Sequence, residues 1–271
     1  MLGLLRMVLI VFVSVGVLFY AFVRFLEATS LYYPSRDLLM SPRQAGLAFE
    51  DVIFTAEDGV KLHGWFVPGE SAHKNLLYFH GNAGNIGDRV EKIAFFRELG
   101  FNIFIFDYRG YGLSEGQPSE QGLYRDGRAA FDYLAARQDV GRLPIVLYGA
   151  SLGGAVAVDT ASRRKAAALV TEETFTSARD MAKIYYPFVP GFMISLKFDS
   201  DRKIAQVACP KLILHSRDDE IVPFAIGRKL FDVAAAPKEF LEVRGAHNDI
   251  ALQSAEIVKK GLTDFLAKYG I

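Results

Sequence analysis

Cysteine is nearly missing from this chain: Cys209 is the one thiol in 271 residues. An intramolecular disulfide is therefore impossible, and so is a multi-cysteine metal site. Cys209 precedes Pro210 at the start of an apolar run, which predicts a buried strand residue and not a nucleophile. The lack of disulfides suits the cytoplasm without excluding the periplasm. Net charge is also missing, because 31 basic residues balance 31 acidic ones. No overall field draws in nucleic acid, and no basic stripe is interleaved with aromatics. There is no internal repeat and no low-complexity segment. What the chain has in quantity is apolar side chain, 51% of residues, enough for a sizeable core and too much for global disorder. The length allows one large domain with an appendage, or at most two small domains.

The N-terminus differs from the rest. Met7 to Val23 is a run without charge, bracketed by Arg6 and Arg24. Its 17 residues span roughly 25 Å as a helix, and Leu2 to Leu5 lengthen it enough to cross a bilayer if Arg6 snorkels. A cleaved signal peptide would have a shorter apolar core and small residues at its cut site; Ala28-Thr29-Ser30 is the nearest match. A buried core helix would show a polar face, and this run has none. The expectation is an uncleaved single-span anchor over residues 1–28. Arg6 on one side and Arg24 and Arg36 on the other give the positive-inside rule no clear vote. A long C-terminal domain behind such an anchor is commonly found outside the cytoplasm, and that side is expected here.

From about Phe49 the chain alternates strands and helices. Phe49–Thr55 and Val60–Val67 flank Glu57-Asp58-Gly59, a hairpin signal. Asn75–His80, Phe101–Asp107, Pro144–Tyr148, Ala167–Thr171, Lys211–His215 and Phe240–Val243 are short apolar runs, as in a parallel sheet covered on both faces. Helical patterns lie between them, near 87–99, 119–138, 152–164, 223–235 and 250–268. The rhythm predicts a doubly wound α/β fold with a mostly parallel sheet of about eight strands. Residues 174–204 break it with Phe175, Met181, Tyr185, Tyr186, Phe188, Phe192, Met193 and Phe198. An excursion of that length predicts a small cap, with an apolar acyl-binding surface as one reading and ordinary helix packing as the other.

Gly149-Ala150-Ser151-Leu152-Gly153 joins the strand PIVLY to a helix beginning at Leu152. A sharp strand-to-helix turn needs small residues two positions either side of the serine, and it lifts the hydroxyl above the sheet. By chance such a pattern would occur in about one chain in ten of this size, so its flanking strand and helix carry the weight. A serine hydroxyl needs a base, and the base an orienting acid. Among five histidines, His247 in Gly245-Ala246-His247-Asn248 follows the last strand, at the sheet edge where Ser151 emerges. The acid belongs between them, after the penultimate strand, where Asp218, Asp219 and Glu220 are all candidates. A developing oxyanion needs donors. The Leu152 N–H supplies one; the loop His80-Gly81-Asn82-Ala83-Gly84-Asn85 supplies another, Asn82 before Ala83. That loop lacks the spacing of a phosphate cradle.

These motifs, with Asp107-Tyr-Arg-Gly-Tyr-Gly112, Ser114 and Phe175-Thr-Ser177, resemble the α/β-hydrolase superfamily and within it the Bem46-like serine hydrolases, from about Leu31 to the C-terminus. The family's acid motif is similar to H-G-x-x-D-x-x-V-P. Laid on His215 and Val222-Pro223 it puts the acid at Asp219, with Ser216 in place of glycine. Relatives often show Glu-Ser-Pro where this chain has Glu172-Glu173-Thr174. The resemblance implies an α/β-hydrolase domain over 29–271 and hydrolysis of an ester, thioester or amide without metal or organic cofactor. The leading expectation is a serine esterase for apolar, lipid-like acyl substrates, membrane-bound through its N-terminal helix, with no nucleic-acid partner. A membrane-tethered acyl-protein thioesterase and a non-catalytic scaffold are the alternatives. A haloalkane-type enzyme is disfavoured, because it needs a carboxylate where Ser151 stands.

Overall fold

The computed structural model describes residues 1–271, except for the side chains of Ala251 and Leu252. Helix α1 (Leu2–Thr29) leads into a two-residue strand β1 (Tyr33–Pro34). The body follows as β2 (Glu50–Thr55), β3 (Lys61–Val67), β4 (Lys74–Phe79), β5 (Ala83–Gly84), α2 (Val90–Glu98), β6 (Phe101–Phe106), α3 (Glu120–Ala136), β7 (Ile145–Ala150), α4 (Leu152–Arg163) and β8 (Ala168–Glu172). It closes with α5 (Ala178–Tyr185), α6 (Ser200–Ile204), β9 (Lys211–Ser216), α7 (Phe224–Val233), β10 (Lys238–Val243), α8 (Ile250–Gln253) and α9 (Ala255–Lys268).

Eight strands form one sheet in the order β10-β9-β8-β7-β4-β6-β3-β2. β2 and β3 pair antiparallel, β3 joins β6 antiparallel, and every other pair is parallel. The expected apolar runs are strands because both of their faces are covered. On β4, Leu77 and Phe79 face a core shared with Phe104, Phe106, Leu147 and the α3–α4 residues Phe131 and Val156. Leu76 and Tyr78 face the other way, into Ile103, Ile105, Tyr148, Phe96 of α2 and Leu262 and Phe265 of α9. Alternate side chains thus serve opposite layers.

Most expected boundaries hold to within a residue or two. The helix expected over 250–268 is interrupted at Ser254. Its hydroxyl donates to the Arg244 carbonyl (2.8 Å) and accepts from the Arg244 N–H (3.0 Å), tying the break to the end of β10. Cys209 is a correction: it lies in a bend two residues before β9, half-buried, and not in the strand. Pro210 behind it cannot donate to a ladder, so pairing begins only at Lys211. A small second sheet was unforeseen. Tyr33–Pro34 of β1 pairs in parallel with Ala83–Gly84 of β5.

Residues 174–204 carry α5, a 3-10 turn at Gly191–Met193 and α6. Among the described residues one helix, α1, is long and apolar enough to cross a membrane.

Candidate active site

Ser151 sits between the last residue of β7 and the first of α4, with φ 51° and ψ −117°. For a non-glycine residue this conformation costs about 1–3 kcal/mol, so the surroundings must enforce it. The Ser151 N–H donates to the Glu172 carbonyl of neighbouring β8 at 2.8 Å. Close packing does the rest. A Cβ at Gly149 would lie 2.5 Å from the Gly153 carbonyl oxygen, and one at Gly154 would overlap the Thr174 hydroxyl. The small residues flanking the serine are required by contact.

The three residues named from sequence meet. Ser151 Oγ lies 3.1 Å from His247 Nε2, and His247 Nδ1 lies 2.9 and 3.0 Å from the Asp219 carboxylate oxygens. The turn after β9 decides which acid faces inward. Asp219 Oδ1 accepts the N–H groups of Ile221 (2.8 Å) and Val222 (2.7 Å), which turns the carboxylate toward His247. Asp218 points instead to Arg244 at 2.9 Å, and Glu220 accepts the His247 backbone N–H at 3.1 Å. Burial pushes the Asp219 carboxyl up, but its bond to His247, the His247 charge and the two N–H groups outweigh that and hold it below the usual range. Ser216 ties the acid loop to the histidine loop: its hydroxyl donates to the Gly245 carbonyl (2.6 Å) and accepts from the Asp218 N–H (3.0 Å). Glycine at 216 could make neither bond. His215 is fully buried, within 2.8 Å of the Val222 carbonyl, and burial pushes its pKa down.

Asn82 and Leu152 line the same cavity as Ser151. Leu152 opens α4, so its N–H has no intrahelical acceptor. Among the described residues neither N–H is a donor in a loop, turn or cap. The Asn82 side chain is turned away, donating to the Leu31 carbonyl at 3.2 Å, so its backbone is the part available to a ligand. His80, expected only as a strand end, lies with Nδ1 2.8 Å from the Gly81 carbonyl. That bond fixes the peptide whose N–H belongs to Asn82. Tyr108 donates to the His80 carbonyl (3.0 Å) and Tyr111 to the Asn82 carbonyl (2.8 Å). The Asp107–Gly112 motif is thus a scaffold behind the glycine-rich loop. The histidine next to the loop glycine was the available signal for this.

Glu173 is expected from the resemblance to lie near the cap and to bear on substrate preference; the structure places it beside His247. Glu173 is 1% exposed, it has φ 50°, and neither carboxylate oxygen has a hydrogen-bond partner. Its Oε2 lies 3.5 Å from His247 Nδ1. Burial, with the Asp219 and Glu172 charges, pushes its carboxyl up to about 10 against the opposing pull of Lys92. It is therefore neutral at physiological pH. The ligating atoms of Glu173, Asp219 and His247 all lie within 4.8 Å, a spacing that would admit a cation. Nδ1 is already committed to Asp219, so the cluster reads as a bonded Asp219–His247 pair with the buried Glu173 carboxyl beside it.

Ser151 opens onto a cavity of about 410 Å³, walled by Phe175, Met181, Tyr185 and Phe198 from the 174–204 segment and by residues of α1. The remaining histidines are elsewhere: His63 bonds Asp51 on the hairpin at 3.0 Å, and His73 lies in a loop beside Lys74. The structure thus brings the residues expected at the site together.

Comparison with known proteins bears on the fold and the family. A hydrolase family model described as serine aminopeptidase, S33, matches residues 70–184. The chain is 37% identical over 258 residues to the alpha/beta hydrolase domain-containing protein WAV2 of Arabidopsis thaliana, covering 87% of this chain and 84% of that one. It is 36% identical over 228 residues to the lysophosphatidylserine lipase ABHD12 of Macaca fascicularis, covering 73% of this chain and 57% of that one. Among solved structures the Pyrococcus furiosus esterase Pf2001 shares the fold with a TM-score of 0.74 at 20% identity, over 88% of this chain and 98% of the other. With its sheet order, its serine turn and these likenesses, the chain belongs to the α/β-hydrolase family and is a hydrolase.

Proposed function

We propose that this hydrolase cleaves carboxylic esters of apolar acyl groups, with Ser151 as nucleophile, His247 as base and Asp219 as orienting acid. Asp219 holds the His247 tautomer that carries its proton on Nδ1, leaving Nε2 free to accept. Ser151 Oγ attacks the ester carbonyl carbon while its proton passes to Nε2. The oxyanion that forms takes the N–H groups of Asn82 and Leu152. Collapse breaks the bond to the leaving alcohol, which receives the proton from Nε2. Water then enters, gives a proton to Nε2 and attacks the acyl-enzyme; Ser151 leaves with that proton and the acid is released.

The observation that carries the substrate class is the apolar cavity at Ser151. Among the described residues Glu27 is the one charged side chain lining it, and its carboxylate is engaged by the N–H groups of Ser195 and Leu196. The α-amino group of a peptide would find no free counter-charge there, whereas an acyl chain fits. The relative that is a lysophosphatidylserine lipase supports a lipid-like ester. We further place residues 1–28 as a single-span anchor and 29–271 as the hydrolase domain, with 174–204 as its cap and the domain on the extracytoplasmic side. The test is hydrolysis of p-nitrophenyl esters of rising chain length by the full chain, beside Ser151→Ala. Loss of turnover by at least about 10³-fold in the variant is expected, with long esters preferred in the parent. An active variant removes the proposal. Acyl-thioesters of equal length decide whether sulfur or oxygen is the preferred leaving atom.

A further inference from the structure

The cavity at Ser151 is not made by the hydrolase body alone. Val23, Leu26, Glu27, Ser30 and Leu31 line it together with Phe175 and Met181. We propose that the last two turns of α1 are a wall of the acyl-binding site, and that the substrate's chain reaches Ser151 along this helix directly from the bilayer. The inference rests on the reading of Ser151 as nucleophile.

Length places the helix end. Leu2 to Phe22, with nearly every side chain exposed, spans about 31 Å, the thickness of a hydrocarbon core. Val23 then falls at the interface, and its exposure drops to 1%. There it packs on Val189 and Ile194 of the 174–204 segment, with Phe19 and Met193 around them. Polar bonds fix the contact. Glu27 accepts the N–H groups of Ser195 (2.7 Å) and Leu196 (3.0 Å), Arg24 pairs with Glu27, and Tyr186 bonds Ser30 at 3.2 Å. A helix that only tethered the domain would need no side-chain acceptor aimed at two backbone donors of the cap. Phe188 and Phe192 of the same segment are exposed by 60% and 84%. Large aromatics at that level suit the membrane interface. An acyl chain sliding from lipid into the cavity thus passes from one apolar surface to another.

The probe is an alkyl fluorophosphonate with a diazirine at the far end of its chain, used in a series of lengths on the full protein in phosphatidylcholine vesicles. Ser151 Oγ bonds phosphorus, fluoride leaves, and the serine proton passes to His247. Illumination then marks whatever touches the chain end. At one or more lengths, cross-links within Val23–Leu31 are expected. Labelling of Ser151 at every length without any cross-link in that stretch overturns the inference. Failure to label Ser151 at all removes the nucleophile reading, and the inference with it. Leu26→Trp, which fills the cavity from the helix side, is expected to lower the long-to-short ester ratio of kcat/KM at least tenfold; an unchanged ratio overturns the inference. Should that variant fail to fold, the labelling stands without it.

Discussion

Glu173→Gln removes one titration and leaves the side chain's shape. In the native protein this carboxyl stays protonated up to about 10, against an ordinary value of 4.5. Between those values the native state keeps a proton that the unfolded chain has released. Stability then falls as pH rises, by at most about 1.4 kcal/mol per pH unit. The stabilising effect is fully present below the unfolded value and is gone once pH passes the folded one. From about pH 6 to about pH 8 the loss reaches at most about 2.7 kcal/mol. For a domain of this size that is roughly 5–11 °C in Tm. Glutamine has nothing to lose over that range, and every other group titrates alike in both proteins. The assay is thermal unfolding of parent and variant in the same detergent at both pH values. The Tm of the variant relative to the parent should climb by several degrees at the higher pH. Parallel profiles would refute the claim that Glu173 is held neutral beside Asp219 and His247.

Asp219→Asn keeps the size of the acid but gives His247 Nδ1 no anionic acceptor. The expected result is a fall in kcat of about 10³–10⁴-fold with KM little changed, measured on a p-nitrophenyl ester; a fall under tenfold would point to a different acid. Gly153→Ala would drive a Cβ into the Phe79 and His80 carbonyl oxygens, which belong to backbone and cannot swing aside. A loss of about 1–3 kcal/mol in urea unfolding is expected, with kcat reduced through the displaced Gly81-Asn82 loop; a fully stable and active variant would contradict the packing.

The parts of this protein that sequence reveals are those fixed by neighbours in the chain. Apolar runs became strands because helices cover both sheet faces, and glycines two residues from Ser151 marked a turn too tight for side chains. Which of Asp218, Asp219 and Glu220 faces His247 was not decided by spacing. The turn after β9 decides it, through the N–H groups of Ile221 and Val222. Pairing of Tyr33–Pro34 with Ala83–Gly84 joins segments about fifty residues apart and leaves no local pattern. Burial of Glu173 was hidden for the same reason: a glutamate reads as solvated until the β8 end, the β9 turn and the His247 loop converge on it. The run Met7–Val23 showed an apolar helix, but not that its last turns belong to the cavity. A fragment starting at residue 29, the natural choice for a soluble protein, would lack Val23, Leu26 and Glu27.

The edge of the sheet has a consequence for how activity is lost. β10 pairs with β9 alone, and its residues are mostly half-buried, whereas β9 is buried throughout. His247 hangs four residues beyond the end of this strand. Sub-global opening is therefore expected to detach His247, the proposed base, first, at a free energy below that of global unfolding, while the strained turn at Ser151 stays locked in the central strands. Warming or mild denaturant should silence the enzyme reversibly before the body melts, and amide exchange in β10 should track that silencing more closely than exchange in β7.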